Sequence, residues 1–155
     1  GVSVLPCGNG AERMLLNRDI GCIIRGISCN MTSDAHLYRA AQEGIAFAFR
    51  YGLDIIKENG IKPQVIKAGY ANMFLSDVFA QSFVNATGVP VELYNCDGSV
   101  GAALGAGIGA GLYSDAKQAF GKFVPVKTIK PKMKAVYEEA YERWKNCLAQ
   151  QLALK

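Results

Sequence analysis

Apolar residues recur every three or four positions over a segment that begins near Ala35. The recurring positions are Leu37, Ala41, Ile45, Ala48, Gly52 and Ile55. This spacing places all of them on one face of an α-helix. Thr32 or Ser33 can cap the helix at its amino end. The Asn-Gly pair at 59–60 and the following Pro63 are typical of a helix terminus, so we predict one long amphipathic helix.

Shorter runs rich in β-branched residues alternate with helical stretches along the rest of the chain. We predict strands at 20–28, 64–68 and 89–94. We predict further helices at about 73–86, 99–112, 115–120 and 133–153. The opening segment to about Asn17 carries Pro6 and several glycines, which favour a loop. Strands that alternate with helices are typical of a layered α/β fold with parallel strands.

Half of the 155 residues are hydrophobic and 19% are charged, which is an apolar composition for a soluble domain. One domain of this length can bury a sizeable core. The composition suits a fully buried sheet or a surface that another part of a protein normally covers. The longest apolar run, residues 100–113, is shorter than the roughly 20 residues that span a bilayer, so we predict a soluble protein without a membrane partner.

Five cysteines are scattered along the chain without a CxxC pair. An odd and unpaired set argues against a zinc site and against a disulfide framework, and it favours a reducing cytoplasm. No basic and apolar leader opens the sequence, so we expect no signal peptide.

The net charge of +4 is concentrated near the carboxyl end. Residues 122–155 carry eight Lys or Arg against three Glu, which leaves the rest of the chain at −1. A basic segment can bind nucleic acid, but aromatic residues do not interleave these lysines as base stacking requires. We therefore favour a basic linker followed by a solvated terminal helix, and we expect no nucleic-acid partner.

The segment from Val65 to Leu75 contains the first candidate site. Gly69 allows a ligand to approach the backbone because no Cβ stands in the way. Asn72 offers an amide that both donates and accepts hydrogen bonds, which suits the edge of a purine. Equally, Gly69 can serve a tight turn and Asn72 can cap a helix that begins at Met73. The residues alone leave both interpretations open.

A second candidate loop begins with the turn signal Asp97-Gly98, after which Ser99 is suited to cap a helix. The following helix consists largely of glycine and alanine over residues 101–111. Each interior glycine costs a helix up to about 1 kcal/mol relative to alanine. Such a helix is favoured only where a neighbour comes very close, and either a packed helix or an adenine can be that neighbour. The glycines do not form a Walker-type GxxxxGK[ST] phosphate loop.

His36 is the single histidine, and at the start of a helix we favour a capping or packing role over that of a base. The chain lacks a second histidine for a metal pair, and no spacing of Ser, His and Asp points to a nucleophile. We therefore assign this sequence no catalytic residue and no metal ligand.

Two further segments complete an ordered set of motifs. Residues 5–13 contain the sequence Leu-Pro-Cys-Gly-Asn-Gly-Ala-Glu-Arg, and residues 22–43 combine small, apolar and acidic positions. Over about 110 residues, the set resembles the C-terminal part of the FGGY carbohydrate kinases, and most of all the xylulose kinases. The chain departs from the family pattern at an alanine inserted before Glu12, at Cys22 in place of a smaller residue, and at Gln42 in place of an apolar one.

The resemblance implies where a nucleotide lies. Ala68-Gly69 stands where the family has a double-glycine adenine loop, and residues 70–75 resemble the form of that loop in glycerol- and xylulose-kinase-like members. Residues 101–103 resemble the family's glycine-alanine-alanine helix, and Asn72 is implied near the adenine. The implied nucleotide-binding residues are Ala68, Gly69, Tyr70, Asn72, Met73, Gly98, Ser99 and Gly101.

The resemblance also implies a ribonuclease-H-like α/β domain of the actin/hexokinase/Hsp70 type. Residues 1–155 then form part of the C-terminal, nucleotide-binding domain of a two-domain sugar kinase, with 122–155 as basic linker and terminal helix. Such kinases close over ATP, Mg²⁺ and a sugar, which we expect to be a ketopentose such as D-xylulose.

The family's catalytic Asp, phosphate loops, Mg²⁺ ligands and most sugar contacts lie upstream of the motif that opens this chain. We therefore expect the adenosine half of the site here, a sugar bound mainly by another domain, and no kinase activity in the isolated chain. The alternative is a non-catalytic actin-like module that binds nucleotide or a partner, for which Ala68, Gln42 and Cys22 leave room. Either form leaves room for a homodimer.

Overall fold

Five strands and five α-helices make up the computed structural model, which describes residues 1–9 and 12–154. The strands are β1 (Ser3–Cys7), β2 (Gly21–Arg25), β3 (Ile66–Gly69), β4 (Val91–Tyr94) and β5 (Pro125–Ile129). The helices are α1 (Asp34–Glu58), α2 (Asp77–Thr87), α3 (Gly98–Gly109), α4 (Ala116–Phe120) and α5 (Lys134–Ala153). Short 3₁₀ turns cover Arg13–Leu15 and Asn72–Leu75. Gly10 and Ala11 of the opening motif, including its inserted alanine, lie outside the described residues.

The strands form two separate sheets. In the first sheet β1 and β2 are antiparallel, with Ser3 opposite Arg25 and Cys7 opposite Gly21. In the second sheet β4 lies in the middle, where β3 is parallel to it and β5 is antiparallel to it. The predicted α/β class with parallel strands is therefore confirmed, but the second sheet is mixed rather than wholly parallel.

Two strands lie where the sequence pattern predicted none. β1 lies inside the opening segment that we predicted as a loop, and β5 lies inside the basic segment 122–155. Pro6 argues against a strand at β1, although Leu5 and Cys7 on either side of it are each only 1% exposed. β5 alternates half-buried and exposed residues, and Lys127 occupies one of its half-buried positions. Both strands are stabilised by pairing with other segments of the chain, so local composition wrongly predicted a loop and a linker in their place.

The long amphipathic helix is confirmed as α1, and its amino end explains the single histidine. Ser33 precedes the first turn in an extended conformation. Its backbone N–H donates a hydrogen bond to Nδ1 of His36 at 3.1 Å, and its hydroxyl lies 2.9 Å from the same nitrogen. The capping interpretation of His36 is therefore confirmed.

Helices α1, α2 and α5 enclose the main hydrophobic core, and α5 also packs on β1. Trp144 and Tyr141 of α5 are at most 1% exposed. Their rings contact Phe47 of α1, with centroids at 6.3 Å and 5.8 Å respectively. The terminal helix therefore folds back onto this domain.

Helices α3 and α4 pack mainly on each other, apart from this core. α3 spans 12 residues of glycine, alanine and other small or apolar types, of which Gly107 is the buried one. At that length it cannot cross a bilayer. No other helix in the described part of the chain combines the necessary length and apolar character.

Candidate functional site

β3 and β4 bring the two candidate loops together. The strands are parallel, with Ile66 opposite Val91 and Gly69 opposite Tyr94. The loops that follow the two strands therefore leave the same edge of the sheet. In open α/β sheets, ligands commonly bind at the carboxyl ends of the strands, so this edge is the first place to look for a site.

A close backbone approach between the loops requires glycine at position 69. A Cβ built on Gly69 would overlap the carbonyl oxygen of Cys96 and would lie 3.5 Å from the Cα of Asp97. Gly69 belongs to β3 and therefore has extended backbone, so lack of space rather than an unusual φ excludes a side chain. Tight packing thus accounts for the glycine, and it joins the two loops into one unit.

Asn72 does not cap the following helix. α2 begins at Asp77, and its cap is Ser76, whose hydroxyl accepts a hydrogen bond from the N–H of Phe79 at 3.2 Å. Asn72 instead begins a 3₁₀ turn, is exposed and has a φ of 51°. Asparagine tolerates this left-handed conformation better than most residues. The capping interpretation is therefore wrong for Asn72.

Asp97, rather than the predicted Ser99, caps α3. Its carboxylate accepts hydrogen bonds from the N–H groups of Ser99 at 2.9 Å and Val100 at 3.3 Å. It also accepts one from the Ser99 hydroxyl at 2.6 Å. These bonds lower the pKa of Asp97, and the hydroxyl of Ser99 contributes most. The amino end of α3 is therefore already occupied by a negative charge.

A cavity of about 240 Å³ lies between the two loops and the connection from α4 to β5. Its lining residues are Lys67, Ala68, Gly69, Tyr94, Cys96, Val100, Gly101, Leu104, Phe120 and Phe123. Three of the nucleotide-binding residues implied by the sequence are among them, namely Ala68, Gly69 and Gly101. The other five lie outside this lining: Tyr70, Asn72, Met73, Gly98 and Ser99.

The aromatic part of this lining was not predicted from the sequence. Phe120 ends α4, Phe123 shortly precedes β5, and Tyr94 ends β4. The first two stand in a stretch predicted as a short helix followed by a linker. The one available signal was a pair of phenylalanines, three residues apart, in a stretch that also contains lysines.

Most glycines of α3 have no close neighbour within the described residues. An added Cβ would meet no described atom within 4 Å at Gly98, Gly101, Gly105 or Gly109. At Gly107 it would lie 2.8 Å from the ring of Tyr113. The close approach expected for this helix is therefore present at one glycine, and the remaining glycine face is open.

Tyr70 lies at the surface beside β5. Nζ of Lys127 lies 5.9 Å from the centroid of the Tyr70 ring and 2.6 Å from a carboxylate oxygen of Asp77. Hydrogen bonding within this ion pair raises the pKa of Lys127 and lowers that of Asp77. Because neither charge is buried, the ion pair contributes little to the stability of the fold.

Comparison with known sequences identifies the family. Residues 1–112 match the model of the C-terminal domain of the FGGY family of carbohydrate kinases. An L-xylulose/3-keto-L-gulonate kinase of Escherichia coli (strain K12) is 31% identical over 122 residues. That alignment covers 74% of this chain and 24% of the relative.

Solved structures of similar proteins show the same fold. A xylulose kinase of Rhodospirillum rubrum has a TM-score of 0.78 and 24% identity, over 99% of this chain and 31% of its own. A glycerol kinase of Plasmodium falciparum, solved with ADP, has a TM-score of 0.77 and 22% identity, over 97% of this chain and 31% of its own. The chain thus spans about a quarter to a third of these proteins. The actin/hexokinase-type fold is confirmed, and the chain belongs to the FGGY family of carbohydrate kinases.

Proposed function

We propose that this chain is the adenosine-binding part of an ATP-dependent carbohydrate kinase. The observation that carries the proposal is the convergence of two loops beside one cavity, at the carboxyl ends of the parallel strands β3 and β4. A nucleotide is commonly held at such an edge. Membership of a carbohydrate kinase family makes ATP the expected nucleotide.

Asn72 is proposed to bind the edge of the adenine. Asn72 is exposed and lies three positions beyond Gly69, which lines the cavity. Capping of α2 is performed by Ser76, so the amide of Asn72 is not needed there. An amide can donate to and accept from the same purine edge, which suits the amino group and the adjacent ring nitrogen of adenine.

The phosphates are proposed to point away from α3. A free helix N-terminus attracts anions, but the carboxylate of Asp97 already accepts hydrogen bonds from the first N–H groups of this helix. The lowered pKa of Asp97 keeps the carboxylate ionised, and its charge repels phosphate. Ribose hydroxyls donate hydrogen bonds and are better partners for it. The site therefore suits the adenosine half of ATP.

Phosphoryl transfer itself is proposed to require the rest of a longer polypeptide. The reaction needs groups that hold the phosphates and a base that accepts the proton of the sugar hydroxyl. Within the described residues, no three His, Cys, Asp or Glu side chains form a cluster that could hold a metal ion, and we propose that the Mg²⁺ ligands lie mainly in the rest of that longer polypeptide. We assign no step through Mg²⁺ to this chain and expect no sugar-dependent ATP consumption from it alone.

An apolar groove of about 860 Å³ between the two sheets supports the proposal that this chain is one part of a larger domain. The groove is bordered by Cys7 of β1 and by Ile66 of β3. Among the described residues, each of these strands is paired along one edge, β1 with β2 and β3 with β4. Phe49 of α1, which also lines the groove, is 58% exposed. We propose that an extended segment of the remaining polypeptide covers the groove and pairs with the open edges.

The sugar is proposed to be a ketopentose such as D-xylulose. The support is the similarity to an L-xylulose/3-keto-L-gulonate kinase and to solved xylulose kinases. Similar solved structures also include a gluconate kinase and a glycerol kinase, so the family resemblance alone supports a polyhydroxylated carbohydrate. We expect most sugar contacts to lie outside this chain.

A titration of the isotope-labelled chain with ADP, followed by amide NMR shifts, tests the proposed function. We expect shifts clustered at residues 69–73 and 97–101. Asn72→Ala should weaken ADP binding about fivefold or more, since losing a hydrogen bond to a desolvated partner costs about 1–3 kcal/mol. Asn146→Ala, at an exposed position of α5, is the matched control. A folded spectrum that does not change at millimolar ADP would contradict a preformed site.

A further inference from the structure

We propose that Phe120 and Phe123 form an aromatic wall against which the nucleotide base stacks. The inference rests on the function proposed above, and it adds side chains that the sequence motifs do not include. Both rings line the cavity beside the two loops, and their centroids lie 6.3 Å apart at an interplanar angle of 46°.

Apart from Lys67, Tyr94 and Cys96, the rest of the cavity lining is suited to a flat apolar group. Gly69 and Gly101 contribute backbone without side chains, and Ala68 contributes only a methyl group. Val100 and Leu104 of α3 add aliphatic side chains. Aromatic rings beside accessible backbone form the type of pocket that holds a planar, π-rich ligand.

The volume of the cavity indicates which part of a nucleotide enters it. Pockets that enclose a whole drug-sized ligand measure about 300–1,000 Å³. This cavity, at about 240 Å³, lies below that range. It can therefore take one ring system while the ribose stays outside, beside the loop that contains Asp97.

The pairing of β5 with β4 holds the aromatic wall in place. Pro125, the first residue of β5, pairs with Tyr94, the last residue of β4. Phe123 therefore lies beside the carboxyl end of β4, next to the loop that leads to α3. Its N–H donates a hydrogen bond to the carbonyl of Phe120 at 3.1 Å, which fixes the two residues relative to each other. The wall is thus preformed by backbone contacts.

Packing of the two rings against each other does not account for their position. Phe120 remains 41% exposed, and neither ring belongs to the main core formed by the described residues. The entry of a base would bury more of both rings, and burial of apolar surface is favourable. The burial of both rings by a bound base would therefore favour binding.

Binding of ADP, GDP and inorganic triphosphate to the wild-type chain and its variants tests the aromatic wall. Stacking tolerates any base, whereas a hydrogen bond to a base edge discriminates between bases. We expect Phe123→Ala to weaken ADP and GDP binding alike, by about tenfold, and to leave any binding of triphosphate unchanged. Asn72→Ala should instead change the ratio of ADP to GDP affinity. Tyr38→Ala, which removes a 71% exposed ring from α1, is the matched control.

Ring resonances of the wild-type chain provide a second measurement that does not depend on the folding of a variant. The ¹³C–¹H signals of Phe120 and Phe123 should shift with ADP and should not shift with triphosphate. If the rings do not respond while the amides near Asn72 do, the aromatic wall is wrong and the proposed function stands. If ADP moves no resonance at all, both are overturned.

Discussion

Trp144, close to the carboxyl end of the chain, donates its indole N–H to the backbone carbonyl of Val4 at 2.8 Å. Trp144 is fully buried, and Val4 is 6% exposed. The hydrogen bond joins α5 to β1, so the terminal helix and the first sheet share one core. A buried carbonyl needs such a donor, because an unpaired one retains the cost of its lost hydration.

Replacement of Trp144 by Phe should lower the free energy of unfolding by about 1–3 kcal/mol, because the Val4 carbonyl loses its donor. The measurement is urea denaturation of the wild type and the variant. Tyr38→Phe, at an exposed position of α1, is the control and should change stability by less than about 0.5 kcal/mol. A Trp144→Phe variant as stable as the wild type would show that the hydrogen bond contributes nothing.

Alanine should have opposite effects at Gly69 and at Gly105. At Gly69 the new Cβ overlaps the carbonyl of Cys96, so we expect a loss of about 1–3 kcal/mol in the free energy of unfolding. At Gly105 the new Cβ meets no described atom within 4 Å, and alanine is the better helix former, so we expect a gain of up to about 1 kcal/mol. Urea denaturation of both variants measures the difference. Equal effects would be evidence against the close approach of the two loops.

The cap formed by Asp97 should make the start of α3 sensitive to acid. The pKa of Asp97 is lowered in the folded chain, mainly by the Ser99 hydroxyl, so the ionised carboxylate stabilises the fold. This contribution is present above about pH 4, the unfolded value, and is lost as the pH falls through the folded-state pKa. Asp97→Asn should therefore flatten the loss of stability below about pH 4, as measured by thermal unfolding at a series of pH values. A variant that loses stability below about pH 4 as steeply as the wild type would contradict this role.

The backbone N–H of Lys67 should exchange rapidly with solvent. The N–H groups of Ile66 and Tyr70 donate to the carbonyls of Pro90 at 2.9 Å and Tyr94 at 2.7 Å. In a parallel pair alternate residues point the other way, so the N–H of Lys67 faces the open edge of β3. Hydrogen exchange should show Lys67 less protected than Ile66 in this chain, and protected in a longer polypeptide that covers the groove. Equal exchange of Lys67 in both forms would contradict the proposed strand.

The long helix could be predicted because all of its signals are local. The apolar stripe, the cap at Ser33 and the terminating residues at 59–60 lie within or beside the helix itself. α1 accordingly spans Asp34–Glu58, close to the predicted bounds. The contact between Ser33 and His36 is equally local, which is why the capping role of the histidine could be predicted as well.

The strands β1 and β5 could not be predicted in the same way. A strand obtains its hydrogen bonds from a partner elsewhere in the chain, and these two contain proline and, in β5, a lysine that weakens the apolar signal. The pairing of β5 with β4 also brings Phe120 and Phe123 to the candidate site. The motifs around residues 97–103 do not indicate that these two phenylalanines lie near the site.

The order of the motifs along the chain was enough to identify the family and to select the loops around Gly69 and Asp97, because order and spacing are properties of the sequence. The folded arrangement was needed to show that Asp97 caps α3, that Asn72 does not cap α2, and that two phenylalanines complete the cavity. The physical reason is that several neighbouring side chains compete to accept hydrogen bonds from the same N–H groups at the start of a helix. Cavity walls, in turn, depend on strand pairing between residues far apart in the chain, which local propensity does not encode.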